Sequence, residues 1–308
     1  MRTLPLSRTA LRVSMIAALT VLSACSKPEP APPAPTTEAA PAPAPAEESP
    51  LVASINGEWR SAEAKARDQY RHPKESLEFW GLAPNQTVLE VWPGGGWWSD
   101  ILAPYAHKTG GKYYATAADL ANPELSEESR KARAEFEARF AAKPDVYGQV
   151  NFVNFGRKSA PLPANTFDLI LLARSFHNMM EDGVTDRFLK DFYGALKPGG
   201  ILAIEQHRAN PGAQDPKAAS GYVTEAYVIE QAQKAGFELV EKSEINANPK
   251  DTKDHPFGVW TLPPTKRTRP YSEGEAANDP NFDRSKYDAI GESDRMTLKL
   301  RKPVGAKE

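Results

Sequence analysis

A glycine-rich segment that follows a short apolar run is the pattern with the clearest chemical meaning. Residues 87–91 read Thr-Val-Leu-Glu-Val, which is typical of a buried parallel strand, and Gly94, Gly95 and Gly96 follow. A strand that runs into such a bend and then into a helix brings backbone close to a ligand, and the free N–H groups of the helix favour an anion such as a carboxylate. The segment predicts a ligand site, with a tight turn that binds nothing as the alternative.

Further polar residues are expected on the same rim of a sheet. His177 and Asn178 follow an apolar strand at 167–172, and ligands of open α/β sheets bind beyond the carboxyl ends of the strands. His177 is a candidate general base, or alternatively a residue that packs against a cofactor or bonds to loop backbone. Asn178 either orients a polar substrate or caps a turn. Arg71 and His72 are candidate substrate-binding residues or the solvated end of a helix.

Alternating strands and helices must position these residues. Helices are expected at 61–70, 73–80, 126–141, 185–196 and 224–235. Strands are expected at 87–91, 112–117, 149–154, 167–172, 201–205, 237–245 and 296–301. Strands separated by helices of this length predict a doubly wound α/β sheet. The long segment 246–292 is expected to form an ordered flap over the rim.

The N-terminal residues resemble the leader of a bacterial lipoprotein. Basic residues precede a mostly apolar run at 13–22, which is shorter than the roughly 20 residues of a membrane-spanning helix. The only cysteine, Cys25, ends a Leu-Ser-Ala-Cys segment similar to the lipobox. The resemblance implies cleavage before Cys25 and a lipid anchor facing the periplasm, with the outer membrane favoured because Ser26 is not an aspartate. A plain secretory signal with an incidental cysteine is the alternative.

Composition divides the chain into three parts. Residues 1–24 are the predicted signal peptide, 25–54 a Pro/Ala-rich tether and 55–308 the folded domain. A net charge of −2 gives no electrostatic case for nucleic acid as a partner. His177 and His207 are two candidate metal ligands on one rim, but no third ligand can be identified, so no metal site is predicted.

Five segments together resemble the class I S-adenosylmethionine-dependent methyltransferases over roughly residues 70–302. They are the bend at 90–96, the strand entry at 161–170, the Leu-Lys-Pro-Gly-Gly turn at 196–200, the Ala-Gly-Phe segment at 235–237 and the last strand at 295–300. Segments 70–75, 92–97 and 255–260 look like a predicted-methyltransferase branch of bacteria. The resemblance implies a Rossmann-like, seven-stranded doubly wound sheet whose last strand is antiparallel.

The resemblance also implies roles for single residues. Glu90 would orient the methionine end of the cofactor, S-adenosylmethionine, and the three glycines would let the backbone pass beside it. Asp119 would accept hydrogen bonds from the ribose hydroxyls, with a helix N-cap as the alternative. Trp92 stands where the family has its first glycine, and Arg157 stands near the place where the family often has an acid.

Three functions follow from these patterns. The first is a methyltransferase that acts on a small molecule or an envelope component. The second is an envelope lipoprotein that keeps the fold and binds a ligand without catalysis, and the third is a structural protein. The glycines favour the first two because they carry an entropic cost that a simple turn does not require. The leader counts against the first, because S-adenosylmethionine is made in the cytoplasm.

Overall fold

Seven strands form one mixed sheet in the computed structural model, which describes residues 48–270 and 279–305. The strands of the sheet are β1 (Thr87–Val91), β2 (Lys112–Ala117), β3 (Val150–Asn154), β4 (Phe167–Ala173), β5 (Leu196–His207), β6 (Glu238–Ser243) and β8 (Arg295–Arg301). Their order is β3-β2-β1-β4-β5-β8-β6. A further strand, β7 (Pro256–Val259), lies outside this sheet. Strands β1 to β5 pair in parallel, and β8 lies antiparallel between β5 and β6. The predicted fold, including the antiparallel last strand, is confirmed.

Helices cover both faces of the sheet. They are α1 (Pro50–Ile55), α2 (Ala62–Ala66), α3 (Asp68–Arg71), α4 (Pro73–Trp80), α5 (Ser99–Thr109), α6 (Glu127–Ala141), α7 (Pro144–Tyr147), α8 (Phe176–Glu181), α9 (Thr185–Ala195), α10 (Glu225–Lys234) and α11 (Ser285–Ile290). The helix predicted at 73–80 is confirmed, whereas the one predicted at 61–70 is two short helices that meet at Arg67. Among the described helices, none is long and apolar enough to cross a membrane.

The central strands bury side chains on both faces, as parallel strands do. Leu89 and Val91 of β1 belong to a core with α8, α9 and α10 on one face. Val88 of the same strand belongs to a second core, formed with α4 and α5, on the other face. Successive residues of a strand point to opposite faces, so an uninterrupted apolar run is what this position requires.

The winding of the chain reverses between β1 and β4. Strand β1 pairs with β2 on one side and with β4 on the other. The segments that leave the carboxyl ends of β1 and β4 therefore diverge, and this leaves a crevice at the switch point of the sheet. The glycine bend and His177 follow these two strands, so the topology brings both to that crevice.

The boundary of the folded domain requires a correction. Residues 50–54 were predicted to belong to the tether, but they form most of α1, whose N-cap is Ser49. Leu51 and Ile55, one helical turn apart, pack into the core beside α5. An apolar pair at this spacing gives even a short segment a face to bury. The predicted signal peptide, Cys25 and the tether up to residue 47 lie outside the described residues.

Candidate functional site

A cavity of about 900 Å³ lies at the switch point. Most of its walls come from the bend after β1, the segment after β4, helices α2 and α3, and residues 259–265 with 292–293. Asp100, Arg139, Lys143, Tyr147 and His207 also line it. The segment between β6 and β8, predicted to be a flap, thus contributes Trp260 and Glu292 to the walls. Of the predicted site residues, the cavity brings together Gly94, Gly95, Arg71, His177 and Asn178.

The glycine bend is open toward this cavity. Gly94 has a φ of +57° and Gly96 a φ of +82°, which favour glycine over any residue with a Cβ. A Cβ added to Gly94 or Gly95 would meet no atom within 4 Å, whereas one on Gly96 would lie 2.9 Å from Nη2 of Arg139. The N–H of Gly96 donates to the Pro93 carbonyl (2.9 Å) and so shapes the turn before α5. Two of the three glycines therefore leave space for a ligand, and the third makes room for Arg139.

Glu90 lies behind the bend and does not face the cavity. Its side chain is buried, and its Oε2 accepts hydrogen bonds from Ser99 Oγ (2.8 Å) and Tyr113 OH (2.5 Å). Burial raises the pKa of Glu90 to about 7, although these two donors act in the opposite direction. Glu90, which was expected to orient the methionine end of a cofactor, is not part of the cavity wall: it connects β1 to β2 and to the start of α5.

Trp92 forms an aromatic wall of the cavity. Its φ is +49°, and its N–H donates to Thr116 Oγ1 (2.7 Å). The indole makes edge contacts with Phe155, at 5.7 Å between ring centroids, and with Phe188, at 5.6 Å. Such contacts add to the burial of the rings, so the indole is held at the end of β3.

Asp119 lines a different cleft from the one at the glycine bend. This cleft, of about 530 Å³, has no wall residue in common with the cavity at the bend. Oδ1 of Asp119 accepts a hydrogen bond from the N–H of Ala121 (3.0 Å). The carboxylate therefore caps a local turn, which is close to the alternative raised from the sequence, and the structure does not bring it together with the bend.

His177 lies in the cavity wall beside a second histidine. Its ring centroid is 5.7 Å from that of His207 and 5.8 Å from that of Trp260. Burial lowers the pKa of His177 to about 4 and that of His207 well below its ordinary value, so both imidazoles are neutral at pH 7. Nδ1 of His177 lies 3.2 Å from Nε2 of Gln206, and Nδ1 of His207 lies 2.6 Å from Ser293 Oγ. The described ranges contain no group of three His, Cys, Asp or Glu side chains suited to a metal.

The three predicted substrate-binding residues differ in whether they line the cavity. Arg71 is fully buried, and its guanidinium lies 4.6 Å from the ring of Trp97 while its Nε donates to Glu292 (2.9 Å). The alternative of a solvated helix end is thus wrong for Arg71. His72 has a φ of +41°, joins α3 to α4 and is not part of the cavity wall. Asn178 is exposed and lines the cavity.

Comparison with known proteins shows that part of this chain is similar to methyltransferases. Residues 89–204 match the family model described as a methyltransferase domain. The ubiquinone/menaquinone biosynthesis C-methyltransferase UbiE of Shewanella sediminis is 30% identical over 129 residues, which are 42% of this chain and 45% of that protein. Residues 89–204 of this chain are therefore similar to a methyltransferase domain. UbiE of Escherichia coli O1:K1 is 29% identical over 124 residues, 40% of this chain and 43% of its own length. The chain thus spans less than half the length of these curated relatives.

Solved structures include methyltransferases of similar architecture. A SAM-dependent methyltransferase from Aquifex aeolicus is 24% identical and has a TM-score of 0.45, with 59% of this chain and 87% of that chain covered. The methyltransferase family indicates S-adenosylmethionine as the cofactor.

The cavity fits the methionine end of that cofactor better than its nucleoside end. The bend leaves open space at Gly94 and Gly95, and both terminal nitrogens of Arg71 are buried without a hydrogen-bond partner. Donors of this kind suit a carboxylate. The expected ribose partner, Asp119, lies in the separate cleft, and Trp92 occupies the side of the bend nearest β3. The cavity therefore has open space and unpaired donors that suit one half of that cofactor.

Sequence reasoning missed the arginines of this site. Arg174 directly follows β4 and lines the cavity, and Arg67 lines it from the junction of α2 and α3. A charged residue at the carboxyl end of a buried strand is the signal that could have indicated Arg174. Nothing local indicated that both would lie near Glu292, because that residue comes from the far end of the chain.

Proposed function

We propose that this protein transfers a methyl group from S-adenosylmethionine to an acceptor bound in the cavity at the switch point. The observation that carries the proposal is the open bend at Gly94 and Gly95, which faces the same cavity as the neutral histidine His177. The family match supports it. When bound, the cofactor supplies an electrophilic methyl group, so the protein's main task is to align a nucleophile with it.

The residues of the cavity can perform that task. The amides of the bend and Arg71 would hold the methionine carboxylate. His177 would receive a proton from the acceptor at Nε2, which requires its Nδ1–H to donate to Gln206. The amide of Gln206 is oriented for this by two backbone bonds, from Phe176 N–H to its Oε1 (3.1 Å) and from its Nε2 to the Gly221 carbonyl (2.9 Å). Oε1 lies 3.4 Å from Nδ1 of His177 and would accept the hydrogen bond from Nδ1–H. The proposal thus requires this tautomer and not the one in which Nδ1 accepts from Nε2 of Gln206 at 3.2 Å.

A binding protein that has lost catalysis is the second candidate. The observation that favours it is Trp92, whose indole stands where the family has glycine, while Asp119 lines another cleft. The two candidates differ in one respect: both bind a ligand at the bend, but only the first transfers a methyl group to an acceptor.

Calorimetry of the whole protein with S-adenosylmethionine and S-adenosylhomocysteine tests both candidates. We expect binding of each compound and loss of binding in Gly95→Val. Gly95 does not have a positive φ, so valine can adopt its backbone conformation, and the valine side chain would fill the open space. Gly194→Val is the matched control, since its Cβ also meets nothing within 4 Å and it lies in α9, far along the chain from the bend. Binding of neither compound refutes the first candidate, and binding without methyl transfer to an envelope extract favours the second.

We also propose that the domain is anchored in the cell envelope through Cys25 and faces the periplasm. The support is the Leu-Ser-Ala-Cys segment at 22–25 and the Pro/Ala-rich composition up to residue 47. Its methyl acceptor would then be a small molecule or an envelope component. Metabolic labelling with a radioactive fatty acid should label the native chain and leave Cys25→Ser unlabelled. Equal labelling of both chains would refute the anchor.

A further inference from the structure

The carboxylates near the cavity are already occupied by arginines. Glu292 accepts from Nε of Arg67 (2.6 Å), Nε of Arg71 (2.9 Å) and Nη1 of Arg295 (3.1 Å). Glu205, at the end of β5, pairs with the same Arg295 at 2.8 Å. Two buried acids therefore face three arginines, and both carboxylate oxygens of Glu205 are buried without a hydrogen-bond partner. The arginines already outnumber the acids on this side of the cavity.

Arg174 is a fourth arginine on this side of the cavity and adds to the excess of positive charge. Within the described parts of the chain, its side chain makes no hydrogen bond and no ion pair, and its Nε is buried without a partner. Its backbone N–H donates to the Glu205 carbonyl (2.6 Å), and its φ of +55° lies in the left-handed region that a residue with a side chain rarely adopts. Backbone outliers of this kind cluster at functional sites, where neighbouring structure holds them in place.

The other charges of the cavity do not compensate Arg174. Asp100 pairs with Arg139 and accepts from Tyr147 OH (2.8 Å). Glu63 and Lys143 are exposed and lie at the rim. Burial lowers the pKa of Arg174, and the carboxylates of Glu205 and Glu292 offset this only in part. The interior of the cavity is thus cationic, although the whole chain has a net charge of −2.

We propose that the acceptor is an anion, with a carboxylate or phosphate group that binds the guanidinium of Arg174. This inference rests on the proposed function and adds the substrate class. S-adenosylmethionine itself is a cation, because its sulfonium and ammonium outnumber its carboxylate, so it cannot neutralise the cavity. A guanidinium binds an oxyanion through two parallel hydrogen bonds, which fixes orientation as well as position. His177 and Trp260 lie in the same wall, where they would contact the body of the acceptor.

Calorimetry with three small probes tests the proposal on the whole protein. The probes are benzoate, phenyl phosphate and the neutral benzyl alcohol, each titrated with and without saturating S-adenosylhomocysteine. We expect at least one anion to bind ten or more times more tightly than the alcohol, in both conditions. Arg174→Gln should weaken binding of that anion at least tenfold, and Arg174→Lys should retain part of it because the charge remains. Arg301→Gln, at an exposed ion pair with Glu238, is the control and should change nothing.

The outcomes separate this inference from the proposed function. Equal binding of anions and alcohol would overturn it, as would full binding by a folded Arg174→Gln variant. Loss of anion binding when S-adenosylhomocysteine is present would also overturn it, because Arg174 would then serve the cofactor's carboxylate. Anion binding that needs Arg174, in a protein that binds no S-adenosylhomocysteine, would support the anion site and refute the methyltransferase proposal.

Discussion

Replacing the buried carboxyl of Glu90 by an amide should change how the stability of this protein depends on pH. The pKa of Glu90 is about 7 in the folded chain, against an ordinary value of 4.5. Between these values the folded state keeps a proton that the unfolded state has released. The unfolding free energy therefore falls as the pH rises from about 4.5 to about 7 and then stays level. The full loss is about 3 kcal/mol, since one pKa unit corresponds to about 1.4 kcal/mol.

Glu90→Gln removes this titration and keeps the geometry, because the amide oxygen can accept from Ser99 and Tyr113 as Oε2 does now. Urea unfolding of native protein and variant at pH 5 and pH 8, followed by tryptophan fluorescence, measures the effect. The variant should gain about 2–3 kcal/mol relative to the native chain between the two pH values. Because the unfolding free energy of the variant is compared with that of the native chain at each pH, the contributions of the other titrating groups cancel.

Glu241→Gln is the matched control, because Glu241 is exposed on β6 and should give the same difference at both pH values. If the difference in unfolding free energy between Glu90→Gln and the native chain does not depend on pH, the pKa of Glu90 is not raised in the folded protein. A native chain that gains stability over the variant as the pH rises would show that the ionised form is the favoured one. Either result would refute the reasoning from burial.

Three further predictions concern the cavity walls. Trp92→Gly should lower the unfolding free energy by about 3 kcal/mol, through lost aromatic packing, and should tighten S-adenosylhomocysteine binding measured by calorimetry; weaker binding would show that the indole helps to hold the ligand. Glu292→Gln should destabilise the fold by about 3–5 kcal/mol in urea unfolding, since three guanidinium groups lose their carboxylate, and a loss under 1 kcal/mol would contradict this. His177→Asn should reduce the loss of stability that the native chain shows as the pH falls from about 6.5 to about 4, where the unfolded imidazole is protonated and the folded one is not; part of the loss should remain because the pKa of His207 is also lowered, and identical pH profiles would contradict the prediction.

Sequence reasoning located the strands well where an apolar run is bounded by turn residues, as at β1 and β4. Strand β1 at 87–91 and β2 at 112–117 have the predicted bounds. The sequence-based predictions failed where tertiary contacts determine the secondary structure. Helix α1 lies at the end of a Pro-rich stretch, and only its packing against the domain makes it a helix. Strand β5 begins at Leu196, so the Lys-Pro-Gly-Gly turn predicted before the strand is part of it.

The residues of the site also fall into two groups, those that local sequence could place and those whose position depends on tertiary contacts. Gly94, Gly95 and His177 could be placed from local patterns, because a bend or a residue that directly follows a strand must lie at the rim of the sheet. The roles of Glu90 and Asp119 were carried over from a family resemblance, and they depend on which way the chain turns after each strand. Those turns depend on packing between segments distant in sequence, which no local pattern contains.

The walls of the cavity have a consequence for how relatives of this protein should be compared. The bend and the end of β4 lie inside the stretch 89–204 that matches the methyltransferase family, whereas Arg67, Arg71, Trp260 and Glu292 lie before or after it. The proposed donor site and the proposed acceptor site thus each combine residues from inside and outside this stretch. Homologues with nearly identical bends can be expected to differ in the rest of the cavity wall, and comparing residues 48–80 and 246–294 should separate them.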